Sequence, residues 1–130
     1  MDTDAAFSSI LACMMKLEFD AIYSYVNVRV DSKFKTDCLD IRWMCQDYLC
    51  NLAEIWAELS GRMRHPLEIC NQEFNSTPII EIDEYKPLIR SDLSQLACVI
   101  ELYYPNFNHD VQRILDDILR RCNHLANYSI

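Results

Sequence analysis

Apolar residues recur at helical spacing along most of this chain. After Asp2, Thr3 and Asp4, which offer a cap and early negative charge, come Phe7, Ile10, Leu11, Met14, Leu17, Ala21, Ile22 and Tyr25. Steps of three and four predict a first helix of about twenty residues with one apolar face. Val26 to Val30 then alternates with period two, the pattern of a short strand. β-branched residues also finish helices, so we take it as the helix end. Asp31 to Thr36 is polar and predicts a connector, with Thr36 or Asp37 as the next cap. A second helix follows through Ile41, Met44, Cys45, Tyr48, Leu52, Ile55, Trp56, Leu59 and Met63, its stripe widened by Trp43, Leu49 and Cys50. Asp40 and Asp47 fall on its polar side. Gly61 stands near its end, where a positive φ is often needed.

Prolines punctuate the next part. Pro66 opens a short helix through Leu67, Cys70 and Phe74 (66–74), because proline suits a first turn. Thr77-Pro78 opens another through Ile79, Ile80, Ile82 and Tyr85 (78–86), although IIEID has strand propensity. Pro87 is expected to end it. Ser91 to Tyr104 then differs from every other segment. Its apolar residues Leu93, Leu96 to Ile100 and Leu102 to Tyr104 leave almost no polar face. A helix apolar all round is a membrane span or the centre of a helical domain. At about fourteen residues it falls short of the ~20 a bilayer requires. It is therefore expected as a buried central helix, capped by Ser91, with Asp92 at the positive end of its dipole and Pro105 as its stop. A last amphipathic helix follows, capped by Asn108 or Asp110. It carries Val111, Ile114, Leu115, Ile118, Leu119, Cys122 and Leu125. On its outer face Asp116 and Asp117 stand four residues before Arg120 and Arg121, the favourable order for ion pairs.

The fold class expected is thus all-α, one helical bundle over residues 1–130 with a buried central helix. Composition agrees. In 130 residues there is a single glycine, against the many that hairpin turns use. Half the chain is apolar (51%) and a quarter charged (25%), which is ordinary for a globular protein. The net charge of −8 opposes binding to nucleic acid or to an anionic membrane surface. The N-terminus is acidic where a signal peptide is basic. The seven cysteines sit within the apolar periodicity rather than in loops. Together these predict free, mostly buried thiols in a reducing, cytoplasmic setting, and no membrane span.

Catalytic chemistry is not indicated. The three histidines, His65, His109 and His124, lack metal-ligand spacing, there is no Cys-x-x-Cys pair, and one glycine cannot build a phosphate loop. No cofactor is expected, and the chain reads as no enzyme. Two glycosylation patterns, Asn75-Ser76-Thr77 and Asn127-Tyr128-Ser129, need a secretory route to be used. Arg90 draws more interest. It can cover apolar neighbours with its stem, or offer its planar donor fork to a partner's carboxylate. Two short helices between longer ones commonly wall a groove, and an amphipathic partner helix could lie there with an acid reaching Arg90.

The order of elements (long helix, long helix, two short helices, then two helices as a buried hairpin) resembles the Bcl-2 family, in particular its divergent viral members. Where that family carries Asn-Trp-Gly-Arg, this chain reads Pro87-Leu88-Ile89-Arg90, and only the arginine matches. Trp56-Ala57-Glu58-Leu59 is loosely similar to the family's own BH3 stretch. The second tryptophan motif and a membrane anchor are absent. The resemblance implies a non-enzymatic apoptosis inhibitor that sequesters pro-apoptotic BH3-containing host proteins in an apolar groove. It implies that Arg90 holds the ligand's aspartate, that Leu59, Met63 and Phe74 form one wall, and that Ile82, Tyr85 and Leu93 form the other. The groove residues should then be partly exposed together, and such a patch would favour a homodimer. Two alternatives stand beside this one. One is a protein of the same shape that blocks immune signalling by surface protein–protein contacts. The other is a secreted, disulfide-bonded, cytokine-like helical ligand.

Overall fold

The computed structural model of the chain describes residues 3–28, 31–61 and 84–130, and among these it is all-helical, with no strand. The first helix, α1, is Thr3–Asn27. Its buried side chains include Phe7, Ile10, Leu11, Met14, Leu17 and Ala21, the stripe expected from the spacing. α2 is Ser32–Ser60, α3 is Tyr85–Tyr103 and α4 is His109–His124. A 3-10 turn, Tyr104–Asn106, joins α3 to α4, and a π-helical turn, Leu125–Ser129, follows α4.

α1 packs most extensively on α2 and next on α3. Contacts along the helices give the directions. Near the start of α1, Phe7 stacks on Trp56 from the end of α2 at 5.8 Å and meets Phe107, beyond the end of α3, edge-on at 4.9 Å. The Trp56 indole N–H donates to Asp4 Oδ1 at 2.6 Å. At the other end of α1, Tyr23 lies 6.1 Å from Tyr85, the first residue of α3. Lys86 bonds Asp31, the cap of α2, at 2.7 Å. So α2 and α3 run parallel to each other and antiparallel to α1, and α4 returns alongside them.

Several boundaries differ from the expectation, each for a local reason. α2 begins at Ser32, because Asp31 rather than Thr36 or Asp37 is the cap: its Oδ1 accepts the N–H of Phe34 at 3.0 Å. That places Phe34 in the core. Pro87 ends nothing. It sits in the first turn of α3, where its missing N–H is harmless, and Ser91 and Asp92 lie inside that helix. Tyr85 accordingly belongs to α3. α3 is also not buried on all sides. Tyr85, Ile89, Leu93, Leu96 and Ile100 form its buried stripe, while Cys98 is exposed and Leu102 is 64% exposed. Counting apolar letters overestimated its burial, since α1 and α4 together cover only part of its circumference. The helix flanked by partners along its length is α1. On α2, Leu49 is buried whereas Trp43, Cys50 and Leu59 face outward.

Other expectations hold. Gly61 closes α2 at φ +64°, its N–H bonded to Ala57 O at 3.0 Å. Asn108 Oδ1 accepts the Val111 N–H at 3.0 Å and caps α4. Val111, Leu115, Ile118 and Cys122 are the buried stripe of α4. The outer-face pairs rearrange, however. Arg120 bonds Asp117 at 2.6 Å, Arg121 lies over the Tyr48 ring at 5.4 Å, and Asp116 bonds the Tyr104 hydroxyl. Cys38, Cys45 and Cys122 are buried and Cys13 half-buried, Cys50 and Cys98 are exposed, and all six are free thiols. Among the described residues no helix is long and apolar enough to cross a membrane. The helix expected at 66–74, and the part of the one at 78–86 that precedes Glu84, lie outside the described residues.

Two local substitutions test the caps. Asn108→Ala removes an N-cap acceptor and should lower stability by about 1 kcal/mol, with Asn108→Asp close to neutral. Among the described residues a Cβ at Gly61 would meet nothing within 4 Å, so Gly61→Ala is expected to carry the cost of a left-handed backbone, about 1 kcal/mol. Urea unfolding followed by circular dichroism measures both; unchanged midpoints would mean that these helix ends do not form.

Candidate functional site

Arg90 lies in the first half of α3 on an exposed position, one residue from the buried stripe at Ile89. Its guanidinium donates to the backbone carbonyl of Ile130, which is itself buried against the bundle. The arginine fork is thus held toward an oxygen acceptor and ties the turn after α4 to α3. Of the other residues expected beside it, Leu59 is 59% exposed at the last turn of α2. Tyr85 and Leu93 are buried against α1 and neighbouring core residues rather than half-exposed as a groove wall. Met63, Phe74 and Ile82 lie outside the described residues. The structure therefore does not bring Leu59, Tyr85 and Leu93 together as one exposed patch.

A second polar constellation has no counterpart among the sequence expectations. Lys16 Nζ on α1 bonds Asp20 Oδ2 at 2.6 Å and Asp92 Oδ1, on α3, at 2.9 Å. Both carboxyl groups are buried; Lys16 keeps 44% of its side chain in solvent. One ammonium between two buried carboxylates leaves a surplus negative charge, which low-dielectric surroundings disfavour. A proton on Asp92 relieves the surplus at acid pH. Burial, then hydrogen bonding to Asp20, pushes the Asp92 carboxyl up to about 7, against the pull of Lys16. Asp92 Oδ2 meets no hydrogen-bond donor among the described residues. In the acid form Asp92 can donate to Asp20, which two carboxylates cannot do. For Lys16, burial works against the charge, but the bonds to Asp20 and Asp92 outweigh it and raise its pKa.

The signal for this cluster was present in the pattern. Asp20 sits between Leu17 and Ala21, and Asp92 between Ile89 and Leu96, so both acids interrupt a buried stripe. With Pro87 taken as a helix end, Asp92 reads instead as a first-turn charge.

What these groups can do chemically is limited by access. A protonated carboxyl beside a second acid is the raw material of acid–base catalysis, but neither Asp20 nor Asp92 lines the clefts beside α4. Burial, followed by the charge of Asp92, raises the Cys13 thiol, so it is no ready nucleophile. Burial also pushes Cys38 and Cys122 up to about 12 and Cys45 well above the ordinary value. Among the described residues no three His, Cys, Asp or Glu side chains converge as metal ligands. The arrangement is that of a structural clamp.

Comparison of the chain with family models, with curated proteins and with solved structures finds no match.

The clamp predicts a pH dependence. Asp92 has its folded-state pKa raised from 3.8 to about 7, so it contributes stability that is present in acid and lost as pH rises toward 7. Glu18 and Asp37, both raised by burial, act in the same direction. Asp31, lowered by its bonds to Lys86 and to the Phe34 N–H, acts oppositely, and below its ordinary value of 3.8. Thermal melting should therefore occur at higher temperature at about pH 5 than at about pH 8. Asp92→Asn should flatten that difference. A melting temperature that rises across this interval, or an unchanged profile in Asp92→Asn, would refute the shared proton.

Proposed function

We propose that this chain is a non-enzymatic, Bcl-2-like interaction protein that inhibits apoptosis by sequestering the amphipathic BH3 helices of pro-apoptotic proteins. The observation that carries the reading is Arg90, whose guanidinium is already turned toward an oxygen acceptor, the Ile130 carbonyl. A carboxylate on a partner would meet this fork in a bond that is charge-assisted on both sides. In this reading an aspartate on a partner helix takes a place on that fork. The partner's apolar side then lies on the bundle surface beside Arg90; Leu59 stands at the far end of α2, and Met63, Phe74 and Ile82 lie outside the described residues. Tyr85 and Leu93 support the site from the core. The all-helical bundle supports the reading at the level of fold class only. The action would be cytoplasmic, and the same apolar surface would permit a homodimer.

A second reading rests on Trp43. It stands 60% exposed on α2 with the Arg42 guanidinium 6.0 Å from its ring. Tryptophan and arginine are the side chains that most often dominate protein interfaces. Here the fold would block immune signalling through its outer surface and leave death ligands alone.

Titration with fluorescent BH3 peptides separates the two. Sequestration predicts saturable binding below about 50 µM. Arg90→Glu should weaken it at least about tenfold while helical circular dichroism is retained. Absent binding by the folded protein, or affinity indifferent to Arg90→Glu, would remove the groove reading. Loss of a partner interaction in Trp43→Ala alone would favour the second.

A further inference from the structure

A cleft of 390 Å³ opens between α2 and the end of α4, lined by Asp40 and Met44 on one side and by Arg120, Arg121, His124 and Leu125 on the other. Its volume falls in the range of about 300–1,000 Å³ typical of ligand pockets. We propose that this cleft binds an acidic peptide segment of a partner protein, taking one apolar side chain on Met44 and Leu125 and carboxylates on Arg120 and Arg121. The site is separate from Arg90 and does not depend on the BH3 reading.

Charge complementarity on a prepared apolar floor selects this ligand. The protein carries a net charge of −8, yet two guanidinium groups and an imidazole border this one cleft, faced by a single acid among its lining residues, Asp40. Basic residues at a helix C-terminus commonly answer the helix dipole. That role needs no cavity and no apolar floor, whereas here Met44 is buried and Leu125 half-buried beneath them. Asp117 bonds Arg120, so the charge set against the negative end of α4, about half a charge, is chiefly that of Arg121, which exceeds it.

The donors are also pre-oriented. Arg121 lies over the Tyr48 ring at 5.4 Å, a contact made by the face of the guanidinium that does not use its N–H donors. Arg120 is steadied by Asp117 at 2.6 Å while 75% of its side chain remains exposed, and one such bond uses few of its five donors. The His124 ring rests 5.3 Å from that of Tyr128. Side chains already ordered lose less freedom on binding. Arg121 also borders a neighbouring cleft of 750 Å³, lined in part by Glu18 and Asp47. That acidic cleft rejects a run of negative charge. The expected ligand is therefore a short acidic stretch rather than a polyanion.

The test is an amide NMR titration with a leucine–glutamate peptide and its counterpart carrying glutamine for glutamate, run on the full chain. The proposal expects saturable shifts confined to residues around Met44, Arg121 and Leu125 with the glutamate peptide, and at least tenfold weaker binding of the glutamine peptide. Arg121→Glu should weaken binding at least tenfold. Arg120→Glu, which leaves the Tyr48 contact intact, should do likewise and guards against a folding defect. Arg90→Glu should leave the affinity unchanged, which distinguishes this site from the BH3 site. Equal binding of both peptides, no saturable binding, or shifts centred elsewhere would overturn the proposal. So would a dimer in sedimentation that Arg121→Glu dissolves, since the occupant would then be a second copy.

Discussion

A single ammonium group, Nζ of Lys16, meets two buried carboxyl groups from different helices, Asp20 of α1 and Asp92 of α3. Apolar stripes alone leave helix pairs free to slide by a turn, since leucine against leucine is tolerated in several registers. A buried polar cluster has no such tolerance. Moving α3 by one turn would strand Asp92 without its lysine, and an unpaired buried charge is strongly destabilising. We therefore read the clamp as a device that fixes how α3 lies on α1, with a shared proton removing the surplus charge. The cost of burying these groups is offset by the apolar packing on either side, with Leu17 and Ala21 on α1 and Ile89, Leu93 and Leu96 on α3.

The remainder of the bundle follows from that register. With Asp92 opposite Lys16, Tyr85 reaches Tyr23 at one end and Phe107 reaches Phe7 at the other. Trp56 closes the latter end by stacking on Phe7 and bonding Asp4. α4 then returns along α3, and the turn after it is held by Arg90 through the carbonyl of Ile130. The two surfaces proposed to bind partners both reach the turn that follows α4. Arg90 holds the turn from α3, and Leu125, its first residue, lines the cleft beside α2.

Much of this was legible in the amino-acid sequence. The helical periodicity of Phe7 to Ala21 and of Val111 to Cys122, the cap at Asn108 and the left-handed glycine at Gly61 all stand as the pattern implied. The misreadings share one cause: an ambiguous local signal was decided without its tertiary context. Pro87 can end a helix or sit in its first turn, and choosing the former split α3, misplaced Tyr85 and hid Asp92. Thr36 and Asp31 are both competent caps, and only the burial of Phe34 decides for Asp31. The all-round apolar character of Ser91 to Tyr104 does not say how many neighbours surround it. The candidate site was less legible than the fold. Arg90 stands out in the sequence as a donor, but the partner that it meets, Ile130, lies forty residues away.

The clamp and its proton can be observed directly by following the side-chain carboxyl carbons with NMR from about pH 3 to about pH 9. A shared proton predicts one aspartate that titrates near 7, its signal absent in Asp92→Asn. If every carboxyl group instead titrates below about 5, as exposed acids do, Asp92 carries no proton near neutrality, and the α1–α3 contact is not held by a protonated clamp.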